Sequence, residues 1–222
     1  MHRSRICFTG FVLLIALLTG CAAKKGPGPY DAAFRQYRPG SIVVLPPLNN
    51  TTDVRATYSL LASVTEPLAE SGYYVFPVAM VDQTFKENGL TQAAEMHQAS
   101  PAKLHEIFGA DAALYLTVTQ YGANSALLGG DVIVKVEGVL IDTRSGNTLW
   151  QGQASASNAE GKQNQNNNLL GILISGLINN VVNTLSDPGY PVGRTANQRL
   201  LSAKLGGLRY GPRSPQYETT QP

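Results

Sequence analysis

Between Ala112 and Ser157 the chain changes from a helical to an alternating period, and no other feature constrains its fold as much. Ala112, Leu114, Leu116 and Val118 fall on one side, and Tyr115, Thr117, Thr119 and Tyr121 on the other. Val132, Val134, Val136 and Leu140 repeat the pattern with Lys135 and Glu137 opposite. Ser145-Gly146-Asn147 makes a turn, and Leu149-Trp150 opens a third segment that ends near Ser157. Successive side chains on a strand point to opposite faces, so this alternation marks strands with one face on a core. The spacing predicts a three-stranded antiparallel meander. It also puts Tyr115 and Tyr121, with Tyr73 as a further candidate, on one tyrosine-rich face. That face is either packed under a helix or used in a protein contact, where tyrosine is enriched.

Upstream, Ile42-Val43-Val44-Leu45 is a continuous β-branched run stopped by Pro46-Pro47, the pattern of a buried strand. Leu48 to Thr52 reads as a polar loop and Asp53 as a helix cap. Leu61, Val64 and Leu68 give one buried helix face between Ala56 and Ser71, kinked at Pro67 and stopped by Gly72. Tyr73 to Phe76 makes a second strand, and Val78 to Asn88 a helix. Ser100-Pro101 caps another helix, with Leu104, Ile107 and Phe108 as its buried stripe and Gly109 as its stop. Two more helices are expected, from Leu169 to Leu185 and from Arg194 to Leu205. This order predicts an α/β fold: a two-layer sandwich, with helices packed on a mixed five-stranded sheet. The folded domain is expected at residues 41–206, between a Pro/Gly-rich tether at 21–40 and a loose tail at 207–222.

The first 20 residues have the layout of a secretory signal: Arg3 and Arg5, an uncharged apolar run from Ile6 to Leu18, then two small residues before a cysteine. Leu18-Thr19-Gly20-Cys21 resembles the lipobox of bacterial lipoproteins. That resemblance implies cleavage between Gly20 and Cys21 and acylation of Cys21, which holds the chain on a membrane. The apolar run is shorter than the roughly 20 residues a spanning helix needs. Cleavage at Ala22 or Ala23 without lipid is the alternative. Removing the signal takes two of 17 basic residues and no acidic one, leaving 15 basic against 15 acidic. A neutral mature chain without a Lys/Arg cluster does not fit a nucleic-acid binder. The chain has two cysteines, one in the signal and one at the lipid site, so no disulfide is available.

Ser41 to Pro47 with Asn49-Asn50, Gly109-Ala110-Asp111-Ala112 leading into a strand, and the turn from Asp142 to Trp150 resemble a superfamily of periplasmic lipoproteins. It includes CsgG-like secretion lipoproteins, LpoB-like activators of peptidoglycan synthases and the N-terminal domain of TolB. Gly72 to Val78 followed by Asp82 to Gly89 is similar to a family of proteobacterial outer-membrane lipoproteins that includes a neisserial vaccine candidate. The resemblance implies a TolB N-terminal-domain-like fold, an outer-membrane lipid anchor, a domain facing the periplasm and no catalytic site.

The residues themselves point away from catalysis. His97 and His105 are eight positions apart with Pro101 between them, unlike the i, i+4 pairs that share a metal. No serine sits in a G-x-S-x-G elbow, and no glycine loop joins a strand to a helix in a phosphate-binding pattern. Asp53, Glu66, Glu70, Asp82, Asp111, Asp131, Glu137 and Asp142 sit beside turns or on expected solvent faces, as caps and solubilising charges do. No enzyme activity, cofactor or metal is expected. Leu169 to Leu185 stands out because apolar residues occupy nearly every face of the expected helix. It is either buried between the sheet and a neighbouring helix or exposed as a contact surface centred on Leu173, Leu177, Ile178 and Val181. The expected role is a lipid-anchored binding or assembly component; the family resemblance implies a CsgG-like secretion or surface-assembly partner, and copies of the chain itself are the other partner expected. An LpoB-like activator of a peptidoglycan synthase is the alternative, although Ala22 to Pro39 spans at most about 60 Å extended.

Overall fold

The computed structural model describes residues 30–123, 131–160 and 187–217. The signal segment, Gly20, Cys21 and the expected contact residues Leu173, Leu177, Ile178 and Val181 lie outside them. In chain order the elements are α1 (Asp31–Tyr37), β1 (Ser41–Val44), β2 (Leu48–Asn49), α2 (Ala56–Leu61), α3 (Thr65–Glu70), β3 (Tyr74–Val75), α4 (Val78–Glu87), α5 (Ala93–Met96) and α6 (Pro101–Phe108). The meander β4 (Ala112–Ala123), β5 (Val132–Asp142) and β6 (Thr148–Ser157) follows, then α7 (Gly189–Leu201) and a 3₁₀ turn (Ala203–Leu205).

The sheet order is β3-β1-β4-β5-β6, with β2 also paired to β4. β1 runs parallel to β3 and β4, while β4, β5 and β6 are antiparallel. The mixed α/β fold is therefore as expected, with six strands where five were read. The added strand is β2, whose Leu48 and Asn49 pair with Thr117 and Val118 inside the stretch read as a loop. A two-residue strand is too short to show a period.

Burial explains the strand compositions. Ile42, Val43 and Val44 are all fully buried because helices cover β1 on both faces. On one face Ile42 and Val44 join Leu60, Leu68, Leu114, Leu116, Val192 and Leu200 under α2, α3 and α7. On the other, Val43 and Leu45 meet Val81, Phe85, Met96 and Leu104 from α4, α5 and α6. The second helical group stops short of β5 and β6, where Lys135, Glu137, Gln151, Gln153 and Ser155 are exposed. This half of the sheet is two-layered.

Pro67 acts differently from the expected kink. A proline inside a helix would clash with the carbonyl four residues earlier, whereas one in the first turn forfeits no hydrogen bond. The chain instead ends α2 at Leu61 and restarts at Thr65, so Pro67 lies in the first turn of α3. Fully buried Asn197 of α7 fastens the break, its Nδ2 donating to the Leu60 carbonyl at 2.9 Å and to Ser63 Oγ at 2.8 Å. In α6 Ser100 Oγ accepts from Lys103 N and Gly109 ends the helix with φ 67°, as read. Ile107 is 43% exposed and does not join the buried stripe. α7 starts at Gly189, ahead of the expected Arg194.

Both boundaries of the folded part also differ from the reading. Phe34 of α1 is 4% exposed and belongs to the core, so residues 30–40 are folded onto the domain. The segment expected to be a loose tail from residue 207 is held as far as Tyr217. Leu208 is buried, Gly211 N donates to the Ser71 carbonyl at 2.8 Å, and Arg213 N donates to the Gly72 carbonyl at 3.1 Å. Gly72 has φ 96° and lies so close that a Cβ there would sit 2.4 Å from Ser214 N. Only glycine permits both that backbone and that approach.

Candidate functional site

Two hydrogen-bonded polar clusters of the described residues lie at the two ends of the sheet. At one end β4 leaves toward residues 124–130, β5 begins, and β6 leaves toward residues 161–186. A β-bulge shapes this end. Val118 pairs with Val136 but Gln120 pairs with Lys135, so Thr119 is an extra residue. One inserted residue exchanges the faces of everything after it. Tyr121 therefore turns into the main core at 7% exposure, while Tyr115 stays on the opposite face, edge-on to His97. Tyr73 shares the main core with Tyr121. The single tyrosine face read from alternation does not exist.

Inside the core the Tyr121 ring lies under α7, where a Cβ on Gly189 would come within 2.4 Å of it. Its hydroxyl reaches a small polar cluster. Tyr121 Oη is 2.7 Å from Asp187 Oδ2 and 2.6 Å from Ser59 Oγ, and its one proton serves one of them. Ser59 Oγ donates to Asp187 Oδ2 at 2.8 Å, and Gly189 N donates to Asp187 Oδ1 at 3.0 Å. Arg55 stands 3.9 Å from Asp187 and makes a two-point pair with Asp53. The Arg55 hydrogen bonds hold the Asp53 carboxyl below its ordinary range despite some burial. Burial first, then the neighbouring acids Asp187 and Asp53, push the Tyr121 phenol far up, so it remains a neutral donor.

This cluster fixes the chain where residues 161–186 end. Where they begin, Arg199 of α7 pairs with Glu160 and donates to the Ser155 carbonyl at 2.7 Å, and Glu160 accepts from Ser157 N at 3.0 Å. Beside it Asn158 Oδ1 accepts from Val132 N. Both roots of the 161–186 segment are thus fixed to one end of the sheet, the end from which residues 124–130 also leave.

The opposite end carries α1. Tyr30 Oη donates to Gln151 Oε1 of β6 at 2.9 Å, and Tyr37 Oη accepts from Asn147 Nδ2 at 2.7 Å. Asp111 knits the strand starts together, its Oδ2 accepting from Gly40 N, Ser41 N and Ser41 Oγ while Oδ1 faces Arg144 at 3.2 Å. Burial alone would raise this carboxyl; the hydrogen bonds from Ser41, Gly40 and Arg144 outweigh it and hold it below the usual range.

The two histidines take backbone partners. His97 Nε2 lies 2.9 Å from the Pro46 carbonyl and His105 Nδ1 2.9 Å from the Ala110 carbonyl. Burial lowers the His97 pKa. Among the described residues no three His, Cys, Asp or Glu side chains converge as a metal site would require, and no helix is long and apolar enough to cross a membrane. Of the acids weighed for catalysis, Asp53, Asp111 and Asp142 take structural partners. Asp142 Oδ1 holds the β5–β6 turn through Ser145 N and Oγ. Glu66 and Asp82 pair with Arg194 and Lys86 on the surface.

Comparison with known proteins assigns the family. The GNA1162-like family of lipoproteins matches residues 30–213, most of the chain. The chain belongs to this family. It is 46% identical over 200 residues to lipoprotein NMB1124/NMB1162 of Neisseria meningitidis serogroup B, covering 90% of this chain and 92% of that one. The crystal structure of lipoprotein GNA1162 from Neisseria meningitidis matches with a TM-score of 0.53 and 49% identity, over 66% of this chain and all of the other. The C-terminal domain of LpoB from Salmonella enterica matches at 16% identity with a TM-score of 0.39, over 53% of this chain and 82% of its own. The family expected from Gly72 to Gly89 is the one found. A lipoprotein family implies association with the cell envelope.

Proposed function

We propose that this chain is a lipid-anchored, non-catalytic binding component of the bacterial envelope. Acylated Cys21 holds it on the outer membrane with its domain in the periplasm. The residues from 169 to 185 supply the contact with a partner, and the family resemblance points to a CsgG-like secretion or surface-assembly protein.

One observation carries this function: the chain reaches the domain at one end of the sheet, at Tyr30 beside Gln151, and both roots of the apolar segment leave from the other. From Gln151 to Ser157 the strand rises about 20 Å. The chains leading to an anchor at Cys21 and to a contact through Leu173, Leu177, Ile178 and Val181 therefore join the domain at opposite ends. An apolar, uncharged stretch rooted by ion pairs suits a protein partner better than a substrate pocket.

Crosslinking of the full-length lipoprotein in cells tests this, comparing the native chain with Leu177→Asp and Ile178→Asp variants. Loss of captured envelope proteins, with the domain still folded, is the expected result. Unchanged capture refutes the contact assignment, and capture of a peptidoglycan synthase moves the role to the activator alternative.

A further inference from the structure

The α1 end of the sheet concentrates positive charge. Arg35 and Arg38 close α1, with Arg38 Nε donating to the Arg35 carbonyl. Arg144 sits in the β5–β6 turn over Asp111. The C-terminal strap brings two more: the Arg209 carbonyl accepts from Tyr73 Oη at 2.6 Å, and the Arg213 guanidinium stacks 5.3 Å from the Tyr74 ring centre. Pro212 of the same strap lies within 4 Å of where a Gly40 Cβ would be, which places the strap at the starts of β1 and β3.

Five of the eight arginines among the described residues are thus at one end of a chain whose mature form carries no net charge. The acids there compensate only in part: Asp142 is buried as a turn cap, Asp111 is committed to Gly40, Ser41 and Arg144, Glu70 faces exposed Lys204, Glu106 pairs with Lys103, and Asp31 lies in α1. The other end leans acidic, with Asp53, Asp131, Glu160 and Asp187 against Arg55, Lys135 and Arg199. Nine positions separate Tyr30 from Cys21, a reach of at most about 30 Å, and they include Lys24 and Lys25.

We propose that the α1 end is a membrane-facing surface that binds anionic phospholipid headgroups through Arg38, Arg144 and Arg213. The proposal rests on the reading of Cys21 as the anchor for its orientation. An acyl anchor fixes the chain to the bilayer without setting its tilt; arginines beside the tether set it, because each basic group near an anionic surface favours binding by about 1 kcal/mol, roughly fivefold. The strap is then the device that carries Arg213 to the membrane side, and Gly72 and Gly211 allow its close approach. The acidic end, with the roots of 161–186, is turned away from the bilayer.

The test is sedimentation of the mature-length chain carrying Cys21→Ser with vesicles of pure phosphatidylcholine or with 30% phosphatidylglycerol. Without its acyl chains the protein is expected to bind the anionic vesicles only, and to release with added salt. Arg38→Gln with Arg213→Gln is expected to weaken binding about 25-fold. Lys135→Gln with Arg194→Gln removes the same charge elsewhere and is expected to change it less than twofold. Equal loss from both pairs shows a net-charge effect and overturns the surface. Equal binding to neutral vesicles, or none to anionic ones, does the same. Circular dichroism confirms that each variant folds. Failure of the anchor reading shows separately, as absence of palmitate on the wild-type chain in cells.

Discussion

Tyr121→Phe is the most revealing single change, because it removes one oxygen and leaves the packing of the ring. The phenol is buried in the main core and lies 2.7 Å from the Asp187 carboxylate. A hydrogen bond to a charged group contributes about 1.5–3 kcal/mol net. Asp187 keeps Ser59 Oγ and Gly189 N, so the lower half of that range is the better expectation. For a chain of this length 1 kcal/mol shifts Tm by about 2–4 °C. Thermal unfolding of the Cys21→Ser chain should therefore show a loss of roughly 3–9 °C for Tyr121→Phe. Tyr115→Phe serves as the comparison. Tyr115 lies on the other face, where no hydrogen bond of its hydroxyl to a described residue is seen, and its loss should be under about 1 °C. A double-mutant cycle with Asp187→Asn should give a coupling of about 1 kcal/mol, since residues that share a hydrogen-bond network are not additive. Equal shifts for the two tyrosines, or a coupling near zero, would refute both the bulge-induced change of face and the role of Asp187 in fixing the segment root.

Other outcomes follow from the same structure. Gly152→Ala would place a methyl 2.4 Å from the Trp150 ring on an edge strand, so a destabilisation of about 1–3 kcal/mol is expected in chemical denaturation. His97 has a pKa lowered by burial, so the unfolded chain binds the proton more readily. Its contribution is complete above about pH 6.5 and is lost as pH falls through that value toward the folded pKa. Comparing Tm at pH 7.5 and pH 5.0 should show a smaller acid-side loss in His97→Gln than in the native chain. Cys21→Ser should abolish palmitate labelling and leave the precursor uncut; normal labelling would end the anchor reading.

The meander was legible in the sequence because three long strands repeat a period of two often enough to be unambiguous. The helix at Ser100-Pro101 was legible because the cap residue and the proline have local jobs. Other features depend on contacts distant in sequence. The bulge at Thr119 breaks the alternation by one residue, and nothing local distinguishes a bulge from a continuing strand. The break before Pro67 is stabilised by Asn197, more than a hundred positions away. The strap from Leu208 to Ser214 looks like a tail because the bonds that hold it to the domain go to Ser71, Gly72 and Tyr73, far off in sequence. The cluster at Tyr121 was missed for the same reason, since Ser59, Tyr121 and Asp187 share no sequence spacing. One sign was available: an apolar segment without charges ends at Asp187-Pro188-Gly189, where a carboxylate before a turn is a natural fixing point.

We propose that the two ends of the sheet serve different surroundings, membrane at α1 and partner at the Tyr121 end. Photocrosslinking in living cells from single positions tests it most directly, with the reactive group at Arg38 in one strain and at Val54, which is exposed beside Asp53, in the other. Lipid adducts from position 38 and an envelope-protein adduct from position 54 are expected. Protein adducts from position 38 together with lipid adducts from position 54 would contradict the proposal.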